Sequence, residues 1–318
     1  MPNFVTGNCD SHFEKGHSHL VCQDYALHEK FENFQFVIVS DGCSSSKDVD
    51  VGARLLCHVA KDFLIHYYKT ELLEKLHGGI NGIAELSSIL ELSILRKCLE
   101  LKSSLNMSSS SFDATLLIAI QYKLEVIVMG RGDGSIIFKY ADKIKYVRAE
   151  YESGAPFYLS YKFSSERLTL YDTQFPGEFV RSHFEKKNSS SLFTLEESNN
   201  DRYQTSLYYN SDYDPDFYSE EKDEEEDDRT KENGLQLKSI SIASDGLFSF
   251  MHNPSHPACL AAGLSGPYDH NLLIPSLIDF KNFSDNFLKR RMRKVEADIT
   301  KQGLFHDDDL AIGTLYLG

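Results

Sequence analysis

The sequence has no CxxC pair, no apolar run long enough to cross a membrane, and too few basic residues to balance its acids. Its six cysteines, Cys9, Cys22, Cys43, Cys57, Cys98 and Cys259, are scattered. Scattered thiols in a chain of 318 residues argue against a disulfide framework and carry no zinc-ligand spacing, so a reduced, cytoplasmic setting is expected. Met1-Pro2-Asn3-Phe4 lacks the basic and apolar regions of a signal peptide, which again points to a soluble intracellular chain. With 33 basic against 48 acidic residues, the formal net charge is −15. That disfavours nucleic acid and an anionic membrane as partners. A phosphorylated substrate stays open, because bound cations reverse a local field. There is no GxSxG, no HExxH and no cysteine in a phosphate-loop context to serve as a nucleophile. No repeat of fixed period is visible.

What the chain does have is a recurrent strand ending. Phe36-Val37-Ile38-Val39-Ser40 is an apolar, β-branched run that stops at Asp41-Gly42. Ile240-Ser241-Ile242-Ala243-Ser244 stops the same way at Asp245-Gly246, and His306-Asp307-Asp308-Asp309 precedes a last apolar run at 310–317. Asp and Gly are common turn formers, so one such ending is unremarkable. Three of them suggest carboxylates gathered at the rim of one core. Oxygen donors of this kind suit a hard divalent cation, Mg²⁺ or Mn²⁺.

Between these endings the periodicity changes. Val51, Leu55, Leu56, Val59, Phe63 and Leu64 follow helical spacing, with Asp48 or Asp50 as the N-terminal cap. A second helix is expected at about 82–105, with Leu86, Ile89, Leu90, Ile94, Leu95 and Leu99 on its apolar stripe. Strands are expected at 3–9, 25–28, 35–40, 113–120, 123–130 and 135–138, and short strands and loops across 144–210, Arg167-Leu168-Thr169-Leu170-Tyr171 among them. The Gly-rich 130–134 stretch reads as a hairpin turn, which lacks the following helix that a phosphate-binding loop needs. An acidic block at about 211–233 reads as a disordered insertion in a single domain spanning 1–318. Helices are expected near 273–280 and 284–301, the latter carrying a basic run, Lys289, Arg290, Arg291, Arg293 and Lys294, as a solvated face.

In order along the chain stand Gly16-His17-Ser18-His19 with Cys22-Gln23-Asp24, then Val39-Ser40-Asp41-Gly42, Asp113-Ala114-Thr115, Gly130-Arg131-Gly132-Asp133-Gly134, Ala243-Ser244-Asp245-Gly246-Leu247-Phe248 and Asp308-Asp309-Leu310-Ala311-Ile312. This series resembles the metal-dependent Ser/Thr phosphatases of the protein phosphatase 2C type, in particular their bacterial branch. The resemblance implies an α+β fold, a four-layer α-β-β-α sandwich of two mainly antiparallel sheets flanked by helices. It implies two Mg²⁺ or Mn²⁺ ions, with Asp41 bridging them, the carbonyl of Gly42 on one, Asp245 and Asp308 on the other, and Asp24 holding metal-bound water. A hydroxide between the ions would attack phosphoserine or phosphothreonine directly, and the partner would be a phosphoprotein. Asp133 would join Asp245 at a third ion, although Ser249 stands where many members have an acid. Setting Leu310-Ala311-Ile312 against the closing strand selects Asp308, with Asp309 as runner-up. The family often has an arginine upstream of the Asp24 position to clamp phosphate, and none lies between Met1 and Asp24. His17, His19 or Lys15 would have to substitute. A phosphatase-like module that binds a phosphoprotein or another partner without turnover is the alternative function.

Overall fold

Burial along the strands explains the architecture. β3 (Phe34–Ser40) is buried along its whole length. Its side chains alternate between two cores, because successive residues of a strand point to opposite faces. Phe34, Phe36 and Ile38 join a cluster with Leu56, Leu64, Leu86 and Leu90 of the two long helices, α1 (Val49–Lys69) and α2 (Ile80–Ser104). Val37 and Val39 face the other way, into a core with Ile136, Phe138, Ile240, Ile242 and Leu315. A third cluster then sets Leu310 and Ile312 against Leu288, Met292 and Val295. Three cores between four layers define an α-β-β-α sandwich. The computed structural model describes residues 7–70, 80–123, 125–178, 180–184, 194–195, 204–210 and 237–318, so the acidic segment at about 211–233 lies outside the described residues.

One sheet runs, from edge to edge, through β1 (Asn8–Glu14), β15 (Leu310–Tyr316), β11 (Leu237–Ala243), β6 (Gly134–Tyr140), β7 (Ile144–Tyr151) and β8 (Val180–Phe184). The other runs through β2 (Tyr25–Lys30), β3, β4 (Leu116–Tyr122), β5 (Glu125–Arg131), β10 (Gln204–Asn210) and β9 (Thr194–Leu195). Neighbouring strands in both sheets pair antiparallel. A small third sheet joins β12 (Phe250–His252) to β13 (Gly266–Pro267) and β14 (Leu304–His306). The outer helices on that side are α5 (His270–Leu277) and α6 (Phe287–Lys301). α6 buries Leu288, Met292, Val295 and Ile299, while Lys289, Arg290, Arg293 and Lys294 are exposed, as expected for a solvated face. Arg291 departs from that face, with its Nε donating to the carbonyl of Ser276.

Several sequence expectations need correction. The first described strand, Asn8–Glu14, runs on past the expected 3–9, of which residues 3–6 lie outside the described residues. Residues 165–174, read as strand from the alternation around Leu168 and Leu170, form α3 (Ser165–Gln174). Ser164 caps this helix by accepting from Arg167 N–H at 3.3 Å. Leu168, Tyr171 and Phe175 share one packing cluster at helical spacing, while Leu170 is exposed. The 130–134 stretch is not a hairpin turn either: β5 and β6 belong to different sheets, so the chain crosses from one sheet to the other there. Val51, Ile89 and Leu99 lie at the exposed margins of their helices rather than in the core. A short helix, α4 (Pro257–Ala262), and the third sheet had no counterpart in the sequence reading.

Candidate metal centre

Asp41 stands where β3 leaves the sheet, and the segment 113–115 fixes it there. Ser40 Oγ donates to the carbonyl of Thr115 at 2.6 Å. The Asp41 N–H donates to Thr115 Oγ1 at 3.0 Å, and the Thr115 N–H returns a bond to the Asp41 carbonyl at 2.8 Å. One residue on, Gly42 bridges to Ala114, and Cys43 N–H donates to the Asp113 carbonyl at 2.8 Å. A Cβ on Gly42 would meet Val49 Cβ at 2.9 Å and the Gln23 carbonyl oxygen at 3.0 Å, so only glycine lets α1 and the 15–24 loop close on this backbone. Asp113 is itself a hub: it accepts from Ser46 Oγ at 3.2 Å, from Arg167 Nη2 at 2.7 Å and from Ser160 Oγ. These contacts tie the 152–178 excursion to the loop after Asp41.

Asp245 begins a 3₁₀ turn, Asp245–Phe248, directly after β11. Ser244 locks that point to β15, donating its N–H to the Ala311 carbonyl and accepting the Ala311 N–H on Oγ, both at 2.9 Å. A Cβ on Gly246 would fall 1.7 Å from the Asp309 carbonyl oxygen, so the turn can press on the start of β15 only through glycine. Ser249 completes the junction. Its Oγ donates to the Gly246 carbonyl at 2.8 Å and accepts the Asp308 N–H at 3.2 Å, while its carbonyl takes the Asp307 N–H at 3.0 Å. The hydroxyl at this position therefore holds the backbone of Asp308.

Asp24, Asp41, Asp133, Asp245 and Asp308 fall within one electrostatic cluster. Asp24 is pushed up to about 7 by burial, reinforced by the charges of Asp245 and Asp309 and opposed by hydrogen bonds with Asp41 and Ser244. Burial, then the charges of Asp24 and Asp245, hold Asp41 well above the ordinary carboxylate range. Asp133 is pushed up to about 7 by burial and by Asp245, with Arg148 pulling the other way. Asp308 is raised by burial and Asp245. Gathering these carboxylates costs free energy unless protons or cations neutralise them.

The donor set fits a hard cation. Every side-chain donor is a carboxylate oxygen, and Asp24 Oδ2 is buried without a hydrogen-bond partner among the described residues. Among the described residues no three His, Cys, Asp or Glu side chains close around a single point. Two neighbouring thiols are poor nucleophiles: burial and the charges of Asp309 and Asp24 push Cys22 up to about 12, and burial raises Cys57.

The two last aspartates differ in surroundings. Asp309 is 2% exposed and accepts the N–H groups of Gly16 at 2.7 Å and Gln23 at 2.6 Å. The side chain of Asp308 is 46% exposed and faces the cluster. His19 Nδ1 lies 2.9 Å from Asp309 Oδ2 and 3.4 Å from Asp308 Oδ1. Its approach to Asp309 lies off the N–H direction, so it is a close contact and not a hydrogen bond. The His17 ring meets Phe305 edge-on at 5.3 Å, and Lys15 Nζ donates to the carbonyls of Gly16 and His19. The structural roles of Thr115, Ser244 and Ser249, and the placement of Tyr158 beside Cys43 and facing Asp41, have no signature in the sequence.

This arrangement, a double antiparallel sandwich with aspartates at its strand ends, is the fold of a phosphatase class. Residues 10–272 match the protein phosphatase 2C family, and the chain belongs to it. The serine/threonine phosphatase Stp1 from Staphylococcus aureus is structurally similar over 100% of this chain and 98% of its own, with a TM-score of 0.50 at 10% identity. The PP2C phosphatase domain of SpoIIE from Bacillus subtilis, solved with a fragment of its regulatory domain, aligns over 98% of this chain and 63% of its own, with a TM-score of 0.44 and 13% identity. Comparison with curated protein sequences found no match. Among the described residues no helix is long and apolar enough to cross a membrane.

Proposed function

We propose that this chain is a divalent-cation-dependent phosphatase acting on phosphoserine or phosphothreonine in a protein substrate. The observation that carries the proposal is the convergence of Asp24, Asp41, Asp133 and Asp308, each raised by burial and by the charge of Asp245 among them, in a chain of this family. Asp41, Asp245, Asp308 and the Gly42 carbonyl would hold two Mg²⁺ or Mn²⁺ ions, and Asp24 would orient water beside them. When bound, such ions supply positive charge to the phosphoryl group and lower the pKa of water, the nucleophile the family resemblance implies. The chain's own contribution is rigidity. Thr115 fixes the Asp41 backbone, Ser249 fixes that of Asp308, and Ser244 ties the strand that ends at Asp245 to β15. Preset donors lose little to reorganisation when charge develops.

The test is hydrolysis of a phosphothreonine peptide in EDTA, Mg²⁺ and Mn²⁺, beside Asp41→Ala. Activity restored by metal and lost at least about a thousandfold in the variant is expected. Full activity in Asp41→Ala, with the fold intact, rejects the proposal. One observation favours the second reading, a binding module without turnover: the basic side chains of the 15–24 loop are turned to loop carbonyls, Phe305 and Asp309. Binding of a phosphopeptide with no hydrolysis in any metal would select it.

A further inference from the structure

A phosphate dianion entering this site meets a wall of carboxylates, and on one side of the cluster the cleft offers a single cation. A cleft of about 420 Å³ is lined by Asp133, Asp245, Arg148, Glu150 and Glu152 among others. Among the described residues lining it, Arg148 is the one basic side chain. It sits on β7 opposite Ser135, two positions after Asp133. Its guanidinium lies over the ring of Phe248, 4.1 Å from the centroid, and Phe248 ends the turn that Asp245 begins. Arg148 Nε is 2.7 Å from Glu150 Oε1, and its terminal Nη groups have no hydrogen-bond partner among the described residues.

We propose that Arg148 binds the substrate phosphate, taking the clamping role for which the 15–24 loop has no arginine. The proposal rests on the phosphatase reading of the same site. The contact with Phe248 and the ion pair with Glu150 hold the guanidinium in place, and the two Nη groups form the fork that pairs with two phosphate oxygens. A guanidinium held in this way loses little side-chain freedom on binding. It also shields an incoming dianion from Asp133, Glu150 and Glu152, the acidic side chains that share the cleft with it. The plainer account is a half-exposed ion pair between Arg148 and Glu150, which would leave phosphate binding untouched.

The experiment compares the full chain with Arg148→Ala and Arg148→Lys, and with Arg293→Ala on the exposed face of α6 as control. KM and kcat in Mn²⁺ are measured for a phosphothreonine peptide and for para-nitrophenyl phosphate, together with the inhibition constant of inorganic phosphate. The expected result is a rise of about tenfold or more in both KM values and in the phosphate constant for Arg148→Ala. Arg148→Lys, which keeps the charge and loses the fork, falls between, and Arg293→Ala changes nothing. Unchanged constants in Arg148→Ala overturn the proposal. So does a rise confined to the peptide, which would place Arg148 on a flanking residue. If the unaltered chain turns over neither substrate in any metal, the phosphatase reading fails. Arg148 is then judged by calorimetric binding of inorganic phosphate and of the phosphopeptide. About tenfold weaker binding in Arg148→Ala supports its role; equal binding, or none by the unaltered chain, overturns it.

Discussion

Asp309 accepts two backbone N–H groups from a loop nearly three hundred residues away in sequence, at 2.7 and 2.6 Å, and the His19 ring packs against it at 2.9 Å. Its neighbour Asp308 has a half-exposed carboxylate turned toward Asp245. These surroundings assign different work to adjacent identical side chains, and that assignment can be measured. Asp309→Ala would leave the Gly16 and Gln23 N–H groups without an acceptor, so a loss of about 2–4 kcal/mol in urea unfolding is expected. Asp308→Asn keeps the backbone contacts and is expected to change stability by less than about 1 kcal/mol while abolishing metal-dependent hydrolysis. The reverse pattern would make Asp309 the ligand. Register against Leu310-Ala311-Ile312 had separated the two residues on paper, but nothing in an Asp-Asp-Asp run states which carboxylate is buried.

At the scale of elements, the centre depends on strand ends held by segments distant in sequence. Thr115 is the anchor on the β3 side, because its hydroxyl accepts the Asp41 N–H. Thr115→Val keeps the shape and removes that acceptor. A destabilisation of about 1–2 kcal/mol is expected from the unpaired N–H. The Mn²⁺ concentration needed for half-maximal activity should rise about tenfold, as is usual when a group orienting a ligand is lost. An unchanged metal requirement would show that the Asp41 backbone holds its place without the hydroxyl. Elements whose pattern is set by burial on both faces were legible: β3 and β4 are mainly apolar runs, β11 alternates isoleucine with small serines that bury as well, and α1 and α2 carry core stripes. Two kinds of feature were not legible. In α3, leucines at alternate positions imitate a strand until Ser164 is known to cap and Leu170 to face solvent. The 130–134 crossing uses the same glycines and aspartate as a hairpin turn, and only pairing partners distinguish the two. The identity of the carboxylates could be read locally, but the serines, threonine and arginine around them act across the fold.

For the whole molecule, the carboxylate cluster couples stability to pH and to divalent cations. In the folded state Asp24 and Asp133 are pushed up to about 7, and Asp41 is also raised, whereas in the unfolded chain they titrate near the ordinary value of 3.8. Between those limits the folded protein holds more protons than the unfolded chain. Stability therefore falls as pH rises from about 4 through about 7, since its slope follows protons bound unfolded minus protons bound folded. Cations that bind only the folded form oppose this loss, and they bind best once the carboxylates have ionised. In EDTA, the melting temperature should fall between pH 5 and pH 8, and added Mg²⁺ should raise it more at pH 8 than at pH 5. Asp41→Asn removes one charge from the cluster, so in EDTA it should raise the melting temperature at pH 8, flatten the pH slope and weaken the response to Mg²⁺. Other groups titrate over the same interval, which is why the difference between the variant and the unaltered chain carries the test. If Asp41→Asn lowers the metal-free melting temperature at pH 8, the cluster is not under the repulsion that burial imposes. The case for cations as its natural neutralising partners would fall with it.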